Sequence, residues 1–246
     1  MDVDRTDGRT VATGLVDQRF MVRVFLVFAA MAVFAAGLNV ASMWIGRSIA
    51  MAGHSDDTTG REIVIGNDVF AIPANTIRDP EARTDGVYSR IDLYLAWPSL
   101  EGYTSTLRDV FNHSAGQPRV VFLTLERQTM SRDMSGRLEP IYRALVTPRG
   151  MPGPDGIMLH EFPAGSGFSE EVLAIGRDKG GSAFVARCLT GEAGATSLAP
   201  CQRDVAIGGG LVAAYRFPME LLGEWRNLDQ ALLGWIASKR QTDAES

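Results

Sequence analysis

The sequence predicts an α+β protein: one N-terminal transmembrane helix, then a mainly antiparallel β-sheet domain ending in a C-terminal amphipathic helix. Three observations carry that expectation. Residues 24–46 contain no charged side chain. Short apolar or alternating runs, separated by glycine and proline, recur between residues 63 and 217. After Pro218, large apolar residues switch to helical spacing at Leu221, Trp225, Leu228, Leu232 and Trp235.

The charge-free run sets the domain organisation. About 20 apolar residues in a helix, at a rise of about 1.5 Å each, cross the hydrocarbon core of a bilayer. Asn39 and Ser42 are the only clearly polar side chains in the run, and Trp44 suits the interfacial layer. A cleaved signal peptide is the main alternative. Such peptides have an apolar core of about 7–15 residues before a small-x-small site. Ala50-Met51-Ala52 has that form, but the run is longer and Arg47 intervenes, which favours an uncleaved signal-anchor. Arg5, Arg9, Arg19 and Arg23 precede the run, whereas Arg47 and Arg61 follow it. Basic flanks stay cytoplasmic. The expected order is a cytoplasmic tail (1–23), the anchor (24–46), a juxtamembrane linker (47–61), a periplasmic α+β domain (62–240) and a short tail (241–246). The expected location is the bacterial inner membrane, crossed once, with the lipid bilayer as one partner through 24–46.

The net charge of −5 argues against a nucleic-acid partner, which selects a basic surface. Lys179 and Lys239 are the only lysines. Cys188 and Cys201 are the only cysteines, and an oxidising periplasm would join them. The bridge would close a loop of about a dozen residues, worth ~3 kcal/mol in the loop-entropy treatment. Two free thiols are the alternative. Their spacing suits neither a zinc knuckle nor a redox pair.

Along the outward domain, 63–65 and 69–72 flank Gly66-Asn67-Asp68 as a hairpin, with Pro73 closing the second strand. Residues 77–88 read as an exposed loop of mixed charge. From 90 to 97 the chain alternates, with Ile91, Leu93, Leu95 and Trp97 on one face and Arg90, Asp92, Tyr94 and Ala96 on the other. A short helix is expected over 104–111 with Thr104 as its cap, then a central strand over 120–125. The stretch 127–149 holds Arg127, Arg132, Arg137, Arg143 and Arg149 around a helical turn or two. After the loop 150–156, strands are expected at 157–159, 171–176, 182–188, 204–208 and 211–217, with turns at Lys179-Gly180-Gly181 and Gly208-Gly209-Gly210. Pro218 and Glu220 suit the start of the last helix.

No motif reaches a reaction. His54, His113 and His160 lack the spacing of a zinc protease, so no metal ligand is assigned. A triad of Ser166, His160 and Asp178 can be imagined, but Gly165-Ser166-Gly167 is not a nucleophile elbow. Gly208-Gly209-Gly210 is followed by no Lys-Ser or Lys-Thr, so it is not a phosphate loop, and no cofactor is expected. Arginine forks recognise carboxylates and phosphates. The stretch 127–149 also contains Asp133 and Glu139, so ordinary surface pairing competes with recognition there. Arg78, Arg83 and Arg90 about the charged loop, with Tyr94 and Tyr103, are the candidate binding surface.

Residues 72–78, 92–98 and 201–204, with Tyr215-Arg216-Phe217, resemble a family of uncharacterised single-pass, membrane-anchored, periplasm-facing proteins of alphaproteobacteria. The resemblance covers most of the outward domain. It implies an inner-membrane, periplasm-facing protein and assigns no catalytic residue. The expected function is therefore a non-enzymatic, membrane-tethered binding or scaffold protein of the cell envelope with an envelope protein as partner. An envelope hydrolase or an accessory subunit of a membrane complex is the alternative.

Overall fold

The computed structural model describes residues 18–51, 53–112, 119–178 and 180–241, the side chains of 18–20 and 38–51 excepted. His113, Lys179, most of the N-terminal tail and residues 242–246 lie outside the described residues. The chain falls into two compact units, Met1–Ala52 and Gly53–Ser246.

The described part of the first unit is a helix, α1 (Gln18–Met51), extending past both ends of the charge-free run. Most of its described apolar side chains are exposed, Phe25 at 71%, Val33 at 74% and Phe34 at 68%. Among the described residues no helix is long and apolar enough to cross a membrane. That finding does not carry the expected transmembrane span, whose second half lies among the undescribed side chains.

The second unit begins earlier than expected. Residues 53–61 are not a free linker: Asp57 O accepts from Asn75 N at 2.7 Å, and His54 stacks on Tyr103 with ring centroids 4.7 Å apart. Two sheets follow. The smaller contains β1 (Gly60–Ile65), β2 (Asp68–Pro73), β3 (Gly86–Val87) and β12 (Arg240–Gln241), in the order β12-β2-β1-β3. Gly66 turns the β1–β2 hairpin at φ 67°, a region open to glycine at little steric cost. The charged loop is less open than its composition suggests, because β3 pairs in parallel with β1 and a 3-10 turn forms over Pro80–Ala82.

The larger sheet is antiparallel throughout. Its strands are β4 (Arg90–Ala96), β5 (Val120–Arg127), β6 (Met151–Pro152), β7 (Met158–Glu161), β8 (Glu171–Arg177), β9 (Ala183–Leu189), β10 (Cys201–Gly208) and β11 (Leu211–Phe217). The order is β4-β5-β11-β10-β9-β8-β7-β6, so the last of these eight strands in sequence inserts between β5 and β10. The short helix expected over 104–111 shrinks to α2 (Arg108–Phe111). The arginine-rich stretch forms a π turn, Leu138–Tyr142, running into α3 (Arg143–Leu145). The loop between the cysteines holds α4 (Gly191–Thr196). The chain ends in a 3-10 turn, Met219–Glu224, and α5 (Trp225–Lys239).

Strand alternation gives the large sheet two unlike faces. Leu93, Leu123, Leu125, Ala213, Phe217, Phe184 and Ala186 turn inward and share one core with Ile63, Ile65, Phe70 and Ile72 of the small sheet. Trp225, Leu228, Leu232 and Ile236 of α5 fill the rest of that core. On the opposite face, Leu173, Ile175 and Val185 are covered by Met134, Leu138, Tyr142 and Val146. Away from the Tyr94 end of β4, strands β4, β5, β11 and β10 have no such cover there among the described residues and floor a groove.

The sheet has a weak seam. β9 and β10 exchange only two register pairs, Cys201 with Cys188 and Gln202 with Arg187. A disulfide joins Cys188 to Cys201 at this point, and both are fully buried. Where the strands then part, the Arg203 guanidinium fills the gap. It donates to Val185 O at 3.1 Å, Ser135 Oγ at 2.8 Å and both carboxylate oxygens of Asp229 on α5, at 3.0 and 3.3 Å. The Tyr215 hydroxyl donates to the same carboxylate at 2.5 Å. A buried charge needs such complete pairing.

Candidate functional site

The groove on the uncovered face has a volume of about 880 Å³. Thr124 and Phe122 of β5, Ala214 and Arg216 of β11, and Gln202 and Asp204 of β10 form its floor. Met130, Arg137, Ile141 and Leu145 form one wall, and residues 196–199, between α4 and β10, form the other.

Arginine dominates the polar lining. Arg90 donates to Asp92 at 2.6 Å, Arg137 to Asp204 at 2.6 Å, and Arg187 lies 3.4 Å from Glu171. Burial works to raise the Asp92 carboxyl. Hydrogen bonds from Arg90 and Thr124, with the nearby charges of Arg90 and Arg78, outweigh it and hold the group below its ordinary value. The Arg137 pair ties the arginine-rich stretch to β10, and Met134 N donates to the second Asp204 oxygen.

Two arginines differ. Among the described residues, neither Arg78 nor Arg216 has a carboxylate within ion-pairing distance. The Arg78 guanidinium lies over the Phe122 ring, 5.6 Å from its centroid. Arg216 is the cross-strand partner of Phe122 and points to the same face. Its Nε and Nη2 donate to Ala199 O at 3.2 and 3.1 Å, which fixes the guanidinium against the 196–199 wall. Two oriented positive charges thus flank one aromatic ring. Apolar side chains lie along the same groove, with Met130 58%, Ile141 44% and Leu198 41% exposed.

The structure separates the five residues proposed from sequence. Arg78 and Arg90 line the groove. Arg83 holds its own loop instead, donating to Ile77 O at 3.0 Å and Gly53 O at 2.9 Å. Tyr94 and Tyr103 are not surface residues, each being only 3% exposed. They pack with His54 and Phe111 in an aromatic cluster, and burial raises the Tyr94 phenol above its ordinary value. Their even mix of ring and hydroxyl made them look like surface groups; α2 and residues 53–59 cover them.

The imagined triad is not assembled. His160 is buried, with Nδ1 2.9 Å from Thr147 O. Its ring packs on Gly150, where an added Cβ would lie 2.8 Å from Nε2. His160 pairs in register with Leu173, so Asp178 lies about 16 Å further along the strand direction. There Asp178 accepts from Ser182 N, while Ser166 Oγ accepts from Phe168 N. All three serve local turns or packing. Among the described residues no cluster of three or more metal-binding side chains occurs. Gly208, Gly209 and Gly210 all have positive φ and build the β10–β11 turn, in which an added Cβ at Gly209 would collide with the Asp68 carboxylate.

Sequence reasoning missed Phe122, Arg187 and Arg216. The signal for Arg216 was present: it is the one charged residue in an otherwise apolar or aromatic strand.

No family model matches the chain, and no curated protein does. The fold is similar to that of Smlt3025, an immunity protein of the Stenotrophomonas maltophilia type IV secretion system. The TM-score is 0.50 at 12% identity, over 75% of this chain and 94% of that one. FrpD, an iron-regulated outer membrane lipoprotein of Neisseria meningitidis, matches with a TM-score of 0.43 at 12% identity, over 75% of this chain and 95% of that one. At such identity the first likeness speaks for a shared fold alone.

Proposed function

We propose that this chain is a membrane-tethered binding protein of the bacterial cell envelope that holds a partner protein in the groove on the uncovered sheet face. The observation that carries the reading is Arg78 and Arg216 placed about Phe122 with no ion-pair contact among the described residues, beside exposed apolar side chains. Arg216 also holds the 196–199 wall, but weakly answered arginines beside exposed apolar side chains suit the recognition of a partner.

The charge-free run 24–46, continuous with α1, supports a single membrane crossing with the N-terminus cytoplasmic and the domain periplasmic. The Cys188–Cys201 bridge fits an oxidising compartment. An immunity protein using a similar fold fits a non-enzymatic role. Tethering would raise the domain's effective concentration toward other membrane components.

Two measurements test this. Alkaline phosphatase fused to the C-terminus is expected to be active; an inactive fusion made in quantity overturns the topology. Tagged full-length protein, cross-linked in cells and purified in mild detergent, is expected to retain a partner that is lost on Ala214→Trp, which fills the groove floor. A partner retained equally by that variant overturns the groove as the binding face.

A further inference from the structure

We infer that the groove takes an acidic, apolar-flanked polypeptide segment, with a carboxylate bound between Arg78 and Arg216 over Phe122. This rests on the groove being the binding face and adds the chemistry of what enters it.

Charge complementarity selects the ligand. The whole chain carries a net charge of −5, yet this groove has arginine to spare. Arg90, Arg137 and Arg187 are each answered by a carboxylate of the chain itself. Among the described residues Arg78 and Arg216 make no ion-pair contact, Arg78 acting on Asp92 only from beyond contact, so the least-answered charge is concentrated about one ring. Arg216 spends Nε and Nη2 on Ala199 O, with Nη2 also 3.4 Å from Ser197 Oγ. Its Nη1 has no hydrogen bond among the described residues and remains for an incoming oxygen. Arg78 makes no side-chain hydrogen bond among the described residues and keeps its whole fork for a ligand. The Arg216 guanidinium, already fixed on Ala199 O, loses little entropy on binding a carboxylate.

The apolar rims decide between a polypeptide and a simple anion. Met130 and Ile141 on one wall and Leu198 on the other are exposed beside the charged floor. A phosphate or a lone carboxylate would leave them in water. A peptide with leucine or phenylalanine next to aspartate or glutamate covers both, and about 880 Å³ accommodates several residues of such a segment.

The test is fluorescence anisotropy of fluorescein-labelled Gly-Glu-Leu-Asp-Phe-Glu-Leu-Gly with full-length protein in dodecyl maltoside. The same peptide with Gln and Asn replacing its acids, and soluble dihexanoyl phosphatidylglycerol as competitor, complete the set. The acidic peptide is expected to bind at least tenfold more tightly than its amide counterpart. Arg78→Gln/Arg216→Gln should remove that preference, and more salt should weaken it. Because Arg216 also holds the 196–199 wall, Arg78→Gln alone is measured too and should lower the preference several-fold. Equal affinity for the two peptides, or a preference unchanged in both variants, overturns the inference. So does a lipid that binds wild type and not the variants while the peptide binds neither. Loss of the cellular partner on Ala214→Trp but not on Arg78→Gln/Arg216→Gln overturns the charge chemistry while leaving the groove reading intact.

Discussion

On β11, Leu211, Ala213, Tyr215 and Phe217 face the closed core and are buried, whereas Val212, Ala214 and Arg216 lie on the opposite face, the last two in the groove, and are not. The two faces treat charge differently. Arg203 on the closed face is met by Asp229, Ser135 and Val185 O, with the Tyr215 hydroxyl on the same carboxylate. Arg78 and Arg216 on the open face meet no carboxylate among the described residues. A charge taken from water must be answered inside the protein. A charge left at a groove need not be, so its residual potential is available to a ligand. The closed face is thus constrained by folding, and the open face is where recognition is free to act.

The contrast breaks most sharply at Asp229. Asp229→Ala leaves Arg203 buried without its carboxylate and should cost about 3–5 kcal/mol. Urea unfolding of full-length protein, followed by tryptophan fluorescence, measures this; an unchanged midpoint would remove the distinction between the faces. Cys188→Ser/Cys201→Ser should cost ~3 kcal/mol by the same measurement. The loss should be matched by reducing the wild-type protein.

The next test uses pH. Burial pushes the Tyr215 phenol well above its ordinary value. Its contribution is therefore fully present below about pH 10, the unfolded value, and is lost as pH rises beyond it. Stability measured from pH 8 to 11 should fall in the upper part of that range, and fall less steeply in Tyr215→Phe. Asp92 at the groove has the opposite sign, since its carboxyl is held low. Its contribution is present above about pH 4 and is lost as pH falls through the folded value. Asp92→Asn should soften the acid limb. The smallest effect on stability is expected for Arg78→Ala, within about 0.5 kcal/mol, as for exposed positions generally. A large loss there would mean that the open face is also held by folding.

Local patterns were legible wherever one strand reports on itself. The alternation over residues 90–97 marked β4, Gly66-Asn67 marked the first hairpin, and the two cysteines marked their own pairing. Strand order was not legible. Nothing in 120–127 says that its neighbour is 211–217, and the groove exists only because those strands meet. Hence Arg78 and Arg90 stood out from the charged loop, while Phe122 and Arg187 did not. Tyr94 and Tyr103 misled because a tyrosine suits an interior or a surface equally well. The linker was misread for a related reason: small polar residues at 53–61 gave no hint that His54 packs between aromatic rings.

The late insertion of β11 bears on how the chain comes to be made. Until residues 211–217 have left the ribosome, β5 and β10 each present an unsatisfied backbone edge toward the other. The sheet cannot be completed from its N-terminal portion, and a nascent chain stopped short of Phe217 would carry two sticky half-sheets. Acquisition of the native state therefore waits for β11, and stop codons anywhere before that strand should yield aggregates rather than a shortened working domain.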